Sequence, residues 1–450
     1  MHYFTKYWFK KGGYSLLSRV SEFLLGFLVF MMMVRIFSKE KFGVWVLFST
    51  FTILIEIVRT NFVQNSFVKF YVSSKDADKP GVFTSALLLN IIITLFSVLL
   101  FWLASLFAGD FFEMPELNTM LQIYCLVMLF SIPFTQFVLL MQCRYDFAAI
   151  LFSQLFRISL FFFFILYFFF TNTKLELSFT VIAQAIIAVL ASGLAFILTK
   201  DKRELKLELS GYWFKKMFSF SKYLFGTSVV SMLSNSIDKF IMGYLLGAPN
   251  LAVFNAAQRI SNTTDIPFVA VSSIVYPKGS EKLKTEGMAS LKRFYEQSAG
   301  IVLSVVIPFC LVVFIFAEPI IMLTAGAGFA DSAWLLRILV LSSILKPFDR
   351  QSGSFLDMIG NPGINLLTVS INFLLNSVLL YFLISRFALA GAAAGSLISL
   401  AVAVIITHII LYKKIGINPF YSFVFAFHNY YHGLSYLKLK LKTKYIALRT

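Results

Sequence analysis

The residues with most chemical consequence in this sequence are charges set inside apolar stretches. Glu56 and Arg59 stand three apart, and Arg157 lies midway along another stretch. Asp238 adjoins Lys239, while Arg259 precedes Asp265 by six positions. Lys346, Asp349 and Arg350 recur at helical spacing beside Pro347, a residue that bends helices. A charge facing lipid at the centre of a spanning helix costs at least about 2.5–3.5 kcal/mol, so each of these needs a partner or water. Glu56 and Arg59 can pair on one helix face. Asp238 and Lys239 point in different directions around their helix, as do Arg259 and Asp265. They require partners on other helices or a wet cavity. The 346–350 stripe carries a net positive charge and suits an anionic ligand. Arg35, Arg144 and Arg337 lie near helix ends, where long side chains snorkel to the interface.

Polar company gathers around two of these clusters. Ser231, Ser234, Asn235 and Asp238 form one stripe, and Asn255, Gln258, Asn262 and Thr263 make a flank with Arg259 and Asp265. Pro267 then opens a gap in the backbone ladder, tolerable where protein or water meets the freed carbonyl. This hairpin is the best functional candidate that the sequence offers.

The elements that must position these residues are membrane helices. Of 450 residues, 59% are hydrophobic and 14% charged, more apolar surface than a water-soluble domain of this size can bury. Stretches long enough to cross the hydrocarbon core fall at 14–36, 43–67, 82–107, 119–142, 147–170 and 177–199. Six more follow at 222–245, 251–276, 297–316, 333–359, 363–385 and 387–411. The expected fold is an all-α polytopic membrane protein of about twelve transmembrane helices. The first stretch is too long for a cleaved signal and reads as a retained anchor. Cys125, Cys143 and Cys310 are isolated, which argues against a disulfide framework or metal site, and no cofactor is expected.

The net charge of +17 reports topology, and nucleic acid is not an expected partner. With twelve spans and an internal N-terminus, the inner segments hold 24 Lys and Arg. The outer ones hold Lys39, Lys41, Lys174 and Arg386 alone. That asymmetry places both termini in the cytoplasm. The mixed-charge linker divides the chain into a six-helix bundle at 1–199, a cytoplasmic linker at 200–217 and a second bundle at 218–411. A basic, aromatic cytoplasmic tail at 412–450 lies against anionic membrane lipid, each basic residue adding about 1 kcal/mol. FSKEKFGVWVLF (37–48) is weakly echoed by LGAPNLAVFNAA (246–257), as a parallel repeat would produce. The run FFFFILYFFF (161–170) is expected to face lipid and neighbouring helices. His2, His428 and His432 are terminal, and His408 stands alone near the end of the last span. No nucleophile–base constellation points to an enzyme.

The segment 234–281 resembles the polysaccharide-transporter branch of the MOP flippase superfamily. The matching positions are Asp238, Leu246–Gly247, Phe254–Asn255–Ala256–Ala257, Arg259–Ile260, Pro267 and Pro277, with Phe42–Gly43 similar to the family's first external loop. The Gly-rich opening common in the family is missing from span one. The resemblance implies two six-helix bundles around a cationic cavity, alternating access and an ion gradient, proton or sodium, as the drive. It implies a Wzx-like flippase in the bacterial inner (cytoplasmic) membrane, serving lipopolysaccharide or a related surface glycan. Its substrate would be an undecaprenyl-diphosphate-linked oligosaccharide such as an O-antigen repeat unit, and glycan-assembly proteins would be its partners. On that reading Arg59, Lys239, Arg259, Lys346 and Arg350 attract diphosphate. Asp238, Asp265 and Asp349 balance charge or couple an ion, Asp265 having the fewest basic neighbours in sequence. The alternatives are a multidrug or cation antiporter of the same superfamily, which would want an acidic cavity, and a membrane-embedded glycan polymerase or ligase, which would want a large external loop.

Overall fold

The computed structural model describes residues 2–199, 206–234 and 236–430. Linker residues 200–205, Asn235 and the tail from 431 lie outside the described residues, as do the side chains of Ser231 and Pro277. Every regular element among the described residues is helical. Lipid offers no hydrogen bonds to a backbone, and a helix satisfies its own. The chain forms two compact units, 1–252 and 253–450.

The first unit begins with α1 (His2–Ile36), α2 (Lys39–Ser73) and α3 (Lys79–Ala104). A short α4 (Ala108–Phe111) precedes α5 (Glu116–Phe130) and α6 (Ile132–Cys143). Then come α7 (Phe147–Thr171), α8 (Leu177–Leu198), α9 (Gly211–Ser234) and the start of α10 (Ile237–Ser261). Local sequence sets the ends. Ser38 Oγ accepts from Lys41 N at 3.3 Å, and Asp146 Oδ1 caps α7 by accepting from Ala149 N at 3.3 Å. Asn172 closes α7 in the left-handed conformation (φ 50°). Within the spans, hydroxyls bond back to their own helix, as Ser97 does to the Ile93 carbonyl at 2.7 Å.

Helix α1 lies along α7, α5 along α8, and α2 against α3 and α9. Phe62, Phe67, Phe83, Leu140 and Met217 form the core where α2, α3, α6 and α9 meet. Gly43 sits so close to the Ala248 carbonyl that a Cβ there would collide with it. Phe163, Tyr167 and Phe170 from the aromatic run are exposed, whereas Phe164 packs on Phe168 and Phe179. That division matches helix faces turned to lipid and to a neighbour.

The second unit contains α11 (Asp265–Ile315), α12 (Ala317–Ala325), α13 (Ala333–Ser343), α14 (Lys346–Met358) and α15 (Pro362–Ile415), followed by helical residues 419–430. Its core joins Leu303, Phe355, Leu356 and Leu411 with Ala426. Several expected spans are interrupted. A 3-10 turn at Asn262–Thr264 precedes α11, which puts Pro267 in a first turn, where its missing N–H costs little. The stretch at 333–359 is two helices, with Pro347 at the start of α14.

Nine helices among the described residues are long and apolar enough to cross a membrane, or ten if the bent α5–α6 pair counts as one span. Three of the long helices are merged pairs, broken at Gly247 (φ 75°) in α10, Gly287 (φ 77°) in α11 and Ala388 (φ 49°) in α15. The chain is a multi-pass membrane protein.

Candidate functional site

The first unit contains an open chamber of about 780 Å³. Residues from α1, α2, α5, α6, α7 and α8 line it, and the charged ones are Arg19, Glu22, Glu56, Arg59 and Arg157. Side-chain amides surround them, from Asn61, Gln64, Gln142, Gln154 and Gln184. Thr52, Glu56, Thr60 and Gln64 recur every fourth residue along α2, so one face of an otherwise apolar helix turns inward.

Arg59 is the largest fully buried side chain, 1% exposed. Its Nη2 donates to Glu56 Oε2 at 2.7 Å and to Ser131 Oγ at 3.0 Å, and its Nη1 to Thr94 Oγ1 at 3.1 Å. Tyr124 donates its hydroxyl to Glu56 Oε1 at 3.2 Å. A break in span four makes this possible, since α5 and α6 meet at 45° with Ser131 at the joint. Neighbouring helices approach the carbonyls on either side of the joint, Asn90 Nδ2 that of Ile132 (3.4 Å) and Ser192 Oγ that of Phe130 (3.0 Å), the Ser192 hydroxyl being shared with the Ala188 carbonyl (2.7 Å). Arg59 is therefore committed to protein partners, with only Nε left without one.

Two other arginines are positioned differently. The Arg157 guanidinium stands 4.8 Å from the Phe134 ring centroid, a cation–π contact. Neither Arg157 nor Arg19 forms an ion pair among the described residues, and both are exposed on the chamber side of their helices. Glu22 accepts from Ser18 Oγ at 3.1 Å, and Gln64 Nε2 donates to Gln142 Oε1 at 3.1 Å. Gln154 Oε1 is buried with no donor. The chamber thus holds three cations against two carboxylates, with hydrogen-bonding amides to spare.

The second unit joins the charges of spans eight and ten. Arg350 Nη2 donates to Asp265 Oδ2 at 2.8 Å, and Lys346 Nζ lies 3.7 Å from Asp265 Oδ1. Lys346 also donates to Asn262 Oδ1 at 3.0 Å. Arg350 keeps 39% of its side chain exposed and sits 5.6 Å from the Phe268 ring centroid. The sparse basic neighbourhood that favours Asp265 as a proton carrier exists in sequence only; in space two cations hold it. Asp349 is half-buried and forms no ion pair with this cluster.

The remaining candidates lie outside this cluster. Asp238 is buried in the first turn of α10 and accepts from Lys239 N at 2.9 Å, while the Lys239 side chain is half-buried. Arg259 is exposed. Arg337, read as an anchor, donates Nε to the Phe314 carbonyl at 3.3 Å. The sequence analysis does not single out Arg19, Glu22 or the four glutamines, which lie on α1, α2, α6, α7 and α8. His408, which the sequence shows as isolated, bonds to Tyr295 of α11 at 2.9 Å.

The fold has solved counterparts. The lipid II flippase MurJ, in an inward closed conformation, superposes with a TM-score of 0.76 over 92% of this chain and 90% of that one, at 16% identity. An inward-facing multidrug resistance MATE family transporter of the MOP superfamily gives 0.71 over 88% and 94%, at 15% identity. Likeness at this identity is likeness of fold, so the chain has the fold that these transporters share. The family model described as polysaccharide biosynthesis protein matches residues 32–334, and the chain belongs to that family.

Similar proteins include a probable low-salt glycan biosynthesis flippase, Agl15, from Haloferax volcanii. It is 25% identical over 243 residues, covering 53% of this chain and 52% of its own length. A putative O-antigen transporter from Shigella flexneri is 21% identical over 199 residues, 44% of this chain and 46% of that protein. The chain spans about half the length of these relatives in each alignment.

Proposed function

We propose that this protein moves an undecaprenyl-diphosphate-linked oligosaccharide, an O-antigen or similar surface-glycan repeat unit, from the inner to the outer leaflet of the bacterial inner membrane. The observation that carries this reading is the polar chamber with unpaired Arg19 and Arg157 inside apolar helices. A diphosphate and its sugars cannot cross about 30 Å of hydrocarbon unaided. Arginine offers two parallel N–H donors to a phosphate, and the amides suit sugar hydroxyls. Arg350, Lys346 and Arg259 of the second unit and Lys239 of the first offer further cations to the diphosphate, while Arg59 acts by holding Glu56. Asp238, Asp265 and Asp349 balance charge. The polyprenyl tail stays in lipid while the two bundles alternate access, driven by an ion gradient. The relatives named as a glycan flippase and an O-antigen transporter support this substrate class. Three cations against two carboxylates disfavour the cation-antiporter reading.

Twelve spans with both termini inside complete the proposal, in bundles at 1–199 and 218–411 joined by the 200–217 linker. The backbone breaks at Gly247, Gly287 and Ala388 supply turns between paired spans. At one end of α2, Lys41 lies 3.8 Å from Glu116. At the other, Lys69 packs 3.9 Å from the Phe220 ring centroid and Lys216 4.8 Å from that of Trp213, the cation-rich arrangement of a cytoplasmic face.

In a chain whose three cysteines are replaced, Glu113→Cys should react with a membrane-impermeant maleimide in intact cells. Lys75→Cys should react only after permeabilisation. The reverse pattern would invert the topology. For the function itself, cells lacking the protein should hold lipid-linked repeat units out of reach of an external glycosidase, and re-expression should expose them. Equal exposure with and without the protein would sink the flippase reading.

A further inference from the structure

The second unit buries a polar chain that the proposed substrate path does not use. Tyr295 of α11 and Ser352 of α14 are fully buried, and His408 of α15 is 6% exposed. Tyr295 Oη lies 2.9 Å from His408 Nε2 and 3.1 Å from Ser352 Oγ. His408 Nδ1 is 2.8 Å from the Val404 carbonyl. A carbonyl only accepts, so Nδ1 carries a hydrogen and Nε2 of the neutral ring is an acceptor. Tyr295 then donates to His408, and Ser352 donates to the Phe348 carbonyl at 2.6 Å. Every group is satisfied.

The same heavy atoms satisfy the protonated ring. A proton added to Nε2 turns His408 into a donor to Tyr295 Oη, and the tyrosine hydroxyl rotates towards Ser352 Oγ. Ser352 keeps its bond to the Phe348 carbonyl. One proton is taken up and no other covalent bond changes. The Phe348 ring centroid lies 5.5 Å from that of the imidazole, within cation–π range.

Each packed element brings charged groups, among them Lys292 and Arg293 on α11 and Lys346, Arg350 and Asp357 on α14. Helix α14 brings Asp349, which acts electrostatically on the Tyr295 phenol and hydrogen-bonds to nothing among the described residues. Helix α11 brings Glu296, whose Oε1 accepts from Asn418 N at 3.3 Å. Further along α15, Lys414 Nζ donates to Asn361 Oδ1 at 3.3 Å, and Lys413 is its neighbour. No ion pair among the described residues fixes the ring in one state. Intramembrane histidines with such partners mark proton pathways.

We propose that His408, with Tyr295 and Ser352, is the site that takes up the coupling proton of the transport cycle. This rests on the reading of the protein as a gradient-driven flippase. The relay ends on α14, the helix that presents Lys346 and Arg350, so proton occupancy reorders hydrogen bonds where that helix packs.

Nitrogen NMR of histidine-labelled protein in lipid nanodiscs tests it. The chain has four histidines, and His408→Gln assigns the signal. The signal expected is a neutral ring protonated on Nδ1 at high pH that gains a proton on Nε2 as the pH is lowered, with Tyr295→Phe displacing that transition. A ring that stays neutral throughout overturns the proposal. The titration needs no lipid substrate, so it is decided even if flipping fails. In proteoliposomes, His408→Gln should lose the acceleration that a proton gradient gives. Undiminished acceleration would also overturn it.

Discussion

Arg350→Ala is expected to cut transport at least about 100-fold while the protein remains in the membrane, a loss equivalent to about 2.7 kcal/mol. Arg350 holds Asp265 at 2.8 Å yet keeps 39% of its side chain exposed, so part of its fork remains free for an anion. Removing it also leaves Asp265 with Lys346 alone, at 3.7 Å. Exchanging the pair, Asp265→Arg with Arg350→Asp, separates the two roles. A purely structural pair would regain transport on exchange, and a substrate-binding arginine would not. Arg350→Lys should retain a fraction of the rate if charge dominates and almost none if two-pronged phosphate contact does. Transport by both Arg350→Ala and the exchanged pair at the normal rate would remove Arg350 from the substrate path.

Arg59→Ala should destabilise the first unit by about 3–5 kcal/mol, the usual cost of removing one member of a buried ion pair. The guanidinium satisfies Glu56, Ser131 and Thr94 at once, tying α2 to α3 and to the joint between α5 and α6. Without it, the Glu56 carboxylate keeps only the Tyr124 hydroxyl. The double variant Glu56→Gln with Arg59→Gln should recover much of the loss, because no uncompensated charge is then left inside. Thermal unfolding in detergent measures both. A single variant as stable as the parent would show that the pair does not hold span four in place.

Much of the architecture was legible because lipid makes helix mandatory and apolar length easy to read. Glu56 and Arg59 pair as their spacing allows. The joint in span four was not legible, since Ser131 and Pro133 mark a bend only once Asn90 and Ser192 of neighbouring helices are seen to reach the carbonyls beside it. Asp265 shows the limit of reasoning along the chain. Its partners lie more than eighty positions away, and no local pattern reveals them. His408 shows the same limit, because Tyr295 and Ser352 sit on other helices in an ordinary apolar setting. Arg19 and the glutamines lining the chamber were readable, but costly charges at span centres drew attention towards spans seven, eight and ten. The chamber lined by charges and amides lies instead among helices of the first unit.

The central claim is that this chamber carries the head group of an anionic lipid-linked glycan across the membrane. Its most direct test is the purified protein in liposomes holding a fluorescent undecaprenyl-diphosphate saccharide, with an impermeant reductant added outside. The wild-type chain should let the reductant bleach the whole pool, whereas the Arg19→Ala and Arg157→Ala double variant should leave the inner-leaflet pool fluorescent. Bleaching confined to the outer leaflet with the wild-type chain, or complete bleaching with the double variant, would contradict the account.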